Sequence, residues 1–286
     1  TSLRSSAGAS GRLPLPELVC EARPMSKSKG ESKREPWIED EVRALVQALV
    51  PEPVERFELT VDWYAPDLKR ADLPAAITRS KAGKDTRLTF PVLAALVPDE
   101  GSRERVLELD ATLAPRGIQV VRTAGGGHKD FVHLYRIGVN QAVERFEGQA
   151  LVVFFRYPNK TPLLWARGTN GANYDVGPQE LIDRLQAWST RSAFRLVGAG
   201  VDWVELHFER LPTDLRAFAQ EVYSFCPDTL DQGIVKAIDA PALGPDPDPE
   251  AMEAFFEAMG EALESQTPAD LAESLRRDKT LFLWWD

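Results

Sequence analysis

Between Val201 and Pro227 the chain changes hydrophobic period, and that change limits the folds open to it. In "VDWVELHF" (201–208) apolar and polar residues alternate, which puts Val204, Leu206 and Phe208 on one face of a strand. Glu205, His207 and Glu209 fall on the other, polar face. In "TDLRAFAQEVYSFC" (213–226) Leu215, Phe218, Ala219, Val222 and Phe225 recur at helical spacing behind Thr213, a residue suited to cap a helix. Pro227 then stops the helix, because it has no N–H to donate and its ring crowds the preceding turn. A one-faced strand and a one-faced helix each need apolar cover, so strands layered against helices follow.

The same two periods recur along the chain. Strands are expected in "RFELTVDWY" (56–64), "LTFPVLAALV" (88–97), "IQVVRT" (118–123), "FVHLYRI" (131–137), "ALVVFFRY" (150–157), "FRLVGA" and the closing "TLFLWWD". Pro91 argues that its strand is an edge or carries a bulge. Helices are expected in "PWIEDEVRALVQALV" (36–50), "SRERVLELDATLAPRG" (102–117, with Ser102 as cap and Gly117 as stop) and "GPQELIDRLQAWSTR" (177–191). Two more are expected at 250–264 and in "PADLAESLRRD" (268–278). Residues 65–87 read as a long loop with one short helix. The order strand, helix, strand, strand occurs over 92–136 and again over 150–208. The expected fold is therefore α+β: a mixed, largely antiparallel sheet, helices packed on one face, and two similar βαββ halves.

Residues 1–35 are rich in Ser, Gly, Pro and charge, too polar to offset the entropy of ordering, and read as a disordered basic leader. Residues 36–157 form an N-terminal α+β region and 158–286 a C-terminal α+β domain. Within the latter, 234–267 holds the proline-rich "DAPALGPDPDP" (239–249) and the acidic helix 250–264, a dimerisation arm in one reading.

Charge narrows the function. The net charge is −10 and is unevenly placed: residues 1–36 carry seven Lys/Arg against four Glu, residues 237–286 twelve Asp/Glu against three Lys/Arg. An acidic body without a basic stripe argues against nucleic-acid binding. No apolar run approaches the roughly 18 residues of a membrane span. Cys20 and Cys226 make neither a disulfide framework nor a zinc site, and suit a reducing cytoplasm. No cofactor or metal is expected.

Each candidate chemistry has a plainer competitor. "AGGGHKD" (124–130) lacks the spacing of a phosphate loop, so it and His128 read as a flexible connection. Cys226 as a nucleophile needs a base, and His207 is the only histidine in its part of the sequence; the thiol is expected instead to complete the helix's apolar face beside Phe225 and Pro227. Catalytic residues are therefore not assigned. A ligand-facing loop is expected in "RGTNGANYDVG" (167–177), with Asn170, Asn173 and Tyr174 meeting a polar group. Asp202, Trp203, Asp228, Asp231 and Gln232 complete the candidate ligand or partner site. Trp284 and Trp285, adjacent on a strand, must point to opposite faces, and Asp286 brings two carboxylates to one position, an anchor for an internal arginine.

With those residues in view, the C-terminal part resembles a bacterial family catalogued as domain of unknown function 4253. The resemblance rests on "EVYSFCPDTLDQG" (221–233) and "LAESLRRDKTLFLWWD" (271–286), with support from "FRLVGAGVDWVELHF" and "GTNGANY" (168–174). It implies structural roles for Phe225, Cys226, Pro227, Trp284, Trp285 and Asp286, an α+β domain, and no particular reaction. Relative to that pattern, 234–267 reads as an insertion.

Two functions are expected in competition. The first is a non-catalytic, cytoplasmic binding protein of the inhibitor or immunity kind, whose acidic surface takes a basic protein partner. The second is an enzyme or small-ligand sensor with a polar pocket near Asn170, Asn173, Trp203 and Asp228.

Overall fold

In the computed structural model, which describes residues 40–60, 78–82, 85–124, 134–136, 139–142, 148–231 and 248–285, ten strands join one sheet. They are β1 (Glu55–Thr60), β2 (Thr78–Ala82), β3 (Asp85–Pro98), β4 (Ile118–Ala124), β5 (Leu134–Arg136), β6 (Val139–Ala142), β7 (Gln149–Arg156), β8 (Ala193–Ala199), β9 (Trp203–Arg210) and β10 (Thr280–Trp284). Their order is β10-β9-β8-β4-β7-β3-β1-β5-β6, with β2 added to β3. Every pairing is antiparallel except β4 with β8. The α+β class and the mixed, largely antiparallel sheet are as expected. Residues 36–157 and 158–286 share this sheet, and Glu35–Asp286 forms one compact unit.

The helices among the described residues are α1 (Asp40–Gln47), α2 (Ser102–Leu113), α3 (Thr161–Arg167), α4 (Pro178–Ser189), α5 (Leu215–Phe225), α6 (Asp228–Asp231), α7 (Pro249–Glu264) and α8 (Pro268–Asp278). They cover both faces of the sheet, which corrects the one-face expectation. On β9, Glu205 is held by Arg103 of α2, whereas Phe208, on the opposite face of the same strand, packs edge-on against Phe218 of α5. The central strand β7 is buried along Ala150–Phe155, as a strand covered on both faces must be. The two halves are not equivalent either. β3 and β4, joined by α2, both run antiparallel to the β7 between them and so run parallel to each other. β7 and β8 flank β4 and run opposite ways.

Local chemistry explains most boundaries. Pro91 lies inside an internal strand, but on one side β2 pairs only as far as Thr89 and β7 begins only at Leu93. The proline falls in that gap, an edge two strands share. The loop expected over 65–87 is interrupted by the β2–β3 hairpin; 61–77 lies outside the described residues. The helix α3 and the short strand β6 are further elements that the hydrophobic pattern did not suggest. The cap of α2 is Gly101 in the left-handed region, which frees the Ser102 hydroxyl to accept from Arg122 at 3.1 Å. The cap of α5 is Asp214 rather than Thr213: its carboxylate accepts the Ala217 N–H at 3.0 Å. Among the described residues no helix is long and apolar enough to cross a membrane. The leader with Cys20, the glycine-rich residues 125–130 with His128, the start of the strand expected over 131–137 with His133, and the linker up to Pro247 lie outside the described residues.

Candidate functional site

Two loops meet the C-terminal segment after β10 beside the β8–β9 turn. The loop after α3 arrives first: the Asn170 N–H donates to the Val201 carbonyl at 2.8 Å, and the Thr169 hydroxyl to the Gly200 carbonyl at 2.6 Å. The C-terminal segment follows, with the Trp285 N–H donating to the Asp202 carbonyl at 2.9 Å. The turn from α5 into α6 closes the group, since the Cys226 thiol donates to the Trp284 carbonyl at 3.1 Å. Trp285 is buried and meets Phe225 edge-on at 5.7 Å, while a Cβ on Gly171 would stand 2.6 Å from the Trp285 indole. The "GTNGANY", "FCPD" and "LWW" segments, scattered along the sequence, thus form one packed cluster.

Within it the candidate residues divide sharply. Asn170 is buried and spent on its own loop: its amide donates to the Gly168 carbonyl at 2.6 Å and its oxygen accepts the Ala172 N–H at 2.9 Å. Trp203 is fully buried, stacked on Phe282 at 5.6 Å and under the Arg122 guanidinium at 5.7 Å, so it belongs to the core and not to a pocket wall. Asp202 is half-buried in the turn, and Asp231 is exposed at the end of α6. Asn173 and Tyr174 stand exposed on the 3-10 turn Ala172–Tyr174. Gln232 and Asp286 lie outside the described residues. Pro227 shapes the turn, its carbonyl accepting from the Leu230 N–H at 2.8 Å.

The structure does bring Tyr174 and Asp228 together. Asp228 opens α6 and is buried, and its carboxylate accepts a hydrogen bond from the hydroxyl of Tyr174, a residue 39% exposed. That hydrogen bond, with some burial and the negative charge of Asp228, pushes the Tyr174 phenol up to about 12. Tyr174 edges a cleft of about 490 Å³ between α4 and α5, bounded by Glu180, Arg184, Glu221 and Phe225. Asp228 lines a second cleft of about 370 Å³ with Arg103, Asp278, Phe282 and Trp284. One hydrogen bond therefore ties the rim of one cleft to the wall of the next.

Cys226 is fully buried, and burial pushes its thiol up to about 11, so it is protonated at neutral pH. His207 does not reach it. On β10 the partner of His207 is Thr280, four residues or about 13 Å of strand from Trp284, and burial beside Arg103 and Lys279 lowers the imidazole's pKa. Among the described residues no group of three or more His, Cys, Asp and Glu is placed to hold a metal ion.

Sequence reasoning passed over one polar centre, Glu221, and read another, Glu205, as a solvated acid. Glu221 accepts from Trp188 Nε1 at 2.9 Å, Arg184 at 3.2 Å and Arg191 at 2.6 Å; burial works against its charge, but these donors hold the carboxyl below its usual range. Its place one turn before Phe225 on the polar side of α5 was the available signal. Glu205 is fully buried between Arg122, at 2.5 Å, and Arg103. Alternation had assigned it to a polar face, and nothing local in "VELHF" says that α2 covers that face.

No curated protein and no solved structure matches the chain. A family model described as a domain of unknown function, DUF4253, matches residues 152–286, the stretch that holds all three segments of the packed cluster.

Proposed function

We propose that the protein acts by binding, with no covalent chemistry of its own, and that its partner is a basic protein. The observation that carries this is electrostatic: α7 presents five glutamates and has no Lys or Arg, within a C-terminal stretch of twelve acids against three bases. A one-signed surface of this kind steers an oppositely charged partner and rejects polyanions. The inhibitor-like or immunity-like role and a cytoplasmic setting belong to the same proposal, the latter supported by a free, buried thiol. The test is to isolate a partner, purify it and titrate it against the full chain. The expected complex is stoichiometric and weakens by about tenfold or more between about 50 and 300 mM salt. The absence of any stoichiometric basic partner, or an affinity indifferent to salt, overturns the proposal.

A small-ligand sensor is the second reading, favoured by the hydrogen bond between Tyr174 and Asp228 at the boundary of two clefts. Its pocket would be these clefts, because Asn170 and Trp203 are buried and engaged. A ligand found by thermal shift whose effect survives Asp228→Asn and Tyr174→Phe would remove it.

A further inference from the structure

The helix α7 is unlike its neighbours in what it leaves uncovered. It spans 16 residues, about 24 Å, yet only Ala262 in it is buried. At about 100° per residue, Met252, Phe255, Phe256, Met259 and Leu263 form one stripe, and Glu250, Glu253, Glu257, Glu261 and Glu264 form another beside it. The apolar stripe straddles the line between body and solvent. Ala262 and Phe255 mark its inner edge, and Phe256 stands at its outer edge with 52% of its surface exposed. All five glutamates are exposed. The helix is firmly built at both ends: Asp248 caps it through the Ala251 N–H at 2.8 Å, and beyond its C-terminus the Gln266 amide donates to the Leu230 carbonyl of α6 at 2.8 Å. A half-covered apolar ridge edged by acids on a well-anchored helix is the form of a helix-in-groove or helix-on-helix contact.

We infer that α7 is the docking surface for the basic partner, and that its occupant is an amphipathic segment with apolar residues on one side flanked by Lys and Arg. This rests on the binding reading above and adds where the partner sits and what it must present. Charge selects the occupant. A second copy would bring the same five glutamates and no cation in α7, so face-to-face pairing sets like charges opposite one another. An anionic membrane surface is repelled for the same reason. A partner segment with Lys or Arg beside its apolar stripe answers both rows of α7 at once.

The probe is a synthetic helical peptide of leucine and lysine, titrated against the full chain by fluorescence anisotropy, with a leucine–glutamate peptide of equal length as control. The lysine peptide is expected to bind and the glutamate peptide not to. Phe256→Ser should weaken binding by about tenfold with unchanged helix content, and Glu253→Gln with Glu257→Gln should weaken it and flatten its salt dependence. The same charge change on α2, Glu104→Gln with Glu108→Gln, should leave it unchanged. Equal losses from both charge pairs show diffuse attraction and overturn the inference, as does Phe256→Ser without effect. If replacing residues 232–247 by a Gly/Ser linker tightens binding by tenfold or more, the chain's own segment is the occupant, and the inference also fails. A dimer abolished by Phe256→Ser makes the second copy the occupant and overturns it too. A purified basic partner that binds with salt sensitivity but ignores Phe256→Ser overturns this docking site and leaves the binding proposal standing; failure to find any such partner removes the proposal itself.

Discussion

Gly200 shows how a single side chain's absence organises the cluster. A Cβ there would lie 2.0 Å from Trp203 Nε1, so the indole of Trp203 backs directly onto bare backbone. Gly200→Ala should cost about 1–3 kcal/mol, the usual range for overpacking, read as a lower urea midpoint at constant slope. Tyr174 makes a second prediction at this scale. Its phenol is raised from 10 to about 12 by the carboxylate of Asp228. A raised folded value means that the contact's stabilising contribution is complete below about pH 10 and is lost as pH climbs through 12. In Asp228→Asn the tyrosinate absorbance that distinguishes the protein from Tyr174→Phe should therefore appear at lower pH. An unchanged titration would mean that the carboxylate does not hold the proton.

Elements follow from short-range chemistry more than from hydrophobic pattern alone. Both Thr213 and Asp214 are acceptable caps by residue type, yet the Asp214 carboxylate is the acceptor, so Asp214→Ala should lose about 1 kcal/mol and Thr213→Ala little. Denaturant melts of the two variants give the comparison, and equal losses would contradict the assignment. The periodicity of 213–226 and 268–278 was legible because each helix buries one stripe, and that of 250–264 because its large apolar residues keep to one side of the helix. α3 was not: its seven residues are almost all buried, so no polar face alternates with an apolar one, and its short length gives no period to count. Pro91 was legible as an edge signal, but that its edge is a gap between two partners depends on where β2 and β7 end.

The whole molecule is held across its two sequence regions by Glu205. Arg103 and Arg122 come from the chain before residue 152 and Glu205 from the stretch that matches the DUF4253 model, and β4 itself is inserted between β7 and β8. A buried carboxylate stripped of one partner is costly, so Arg122→Met should destabilise by about 3–5 kcal/mol, and adding Glu205→Met should recover much of it. Residues 152–286 expressed alone lack β4 and both arginines and should show no cooperative thermal transition; a sharp one would refute the dependence.

By itself the sequence determined the α+β class and most of its strands and helices, the acidic C-terminal stretch, and the segments "GTNGANY", "FCPD" and "LWW". Period, capping chemistry and net charge are properties of neighbours in the chain, and these can be read without a fold. Only the tertiary structure decided that helices cover both faces of the sheet, that Glu205 is buried, that Asn170 and Trp203 are engaged in the core, and that Tyr174 meets Asp228. Apart from the local bonds of the Asn170 side chain, each of those depends on residues tens of positions apart, and the closing of such contacts is set by packing of the whole sheet, which no local pattern encodes.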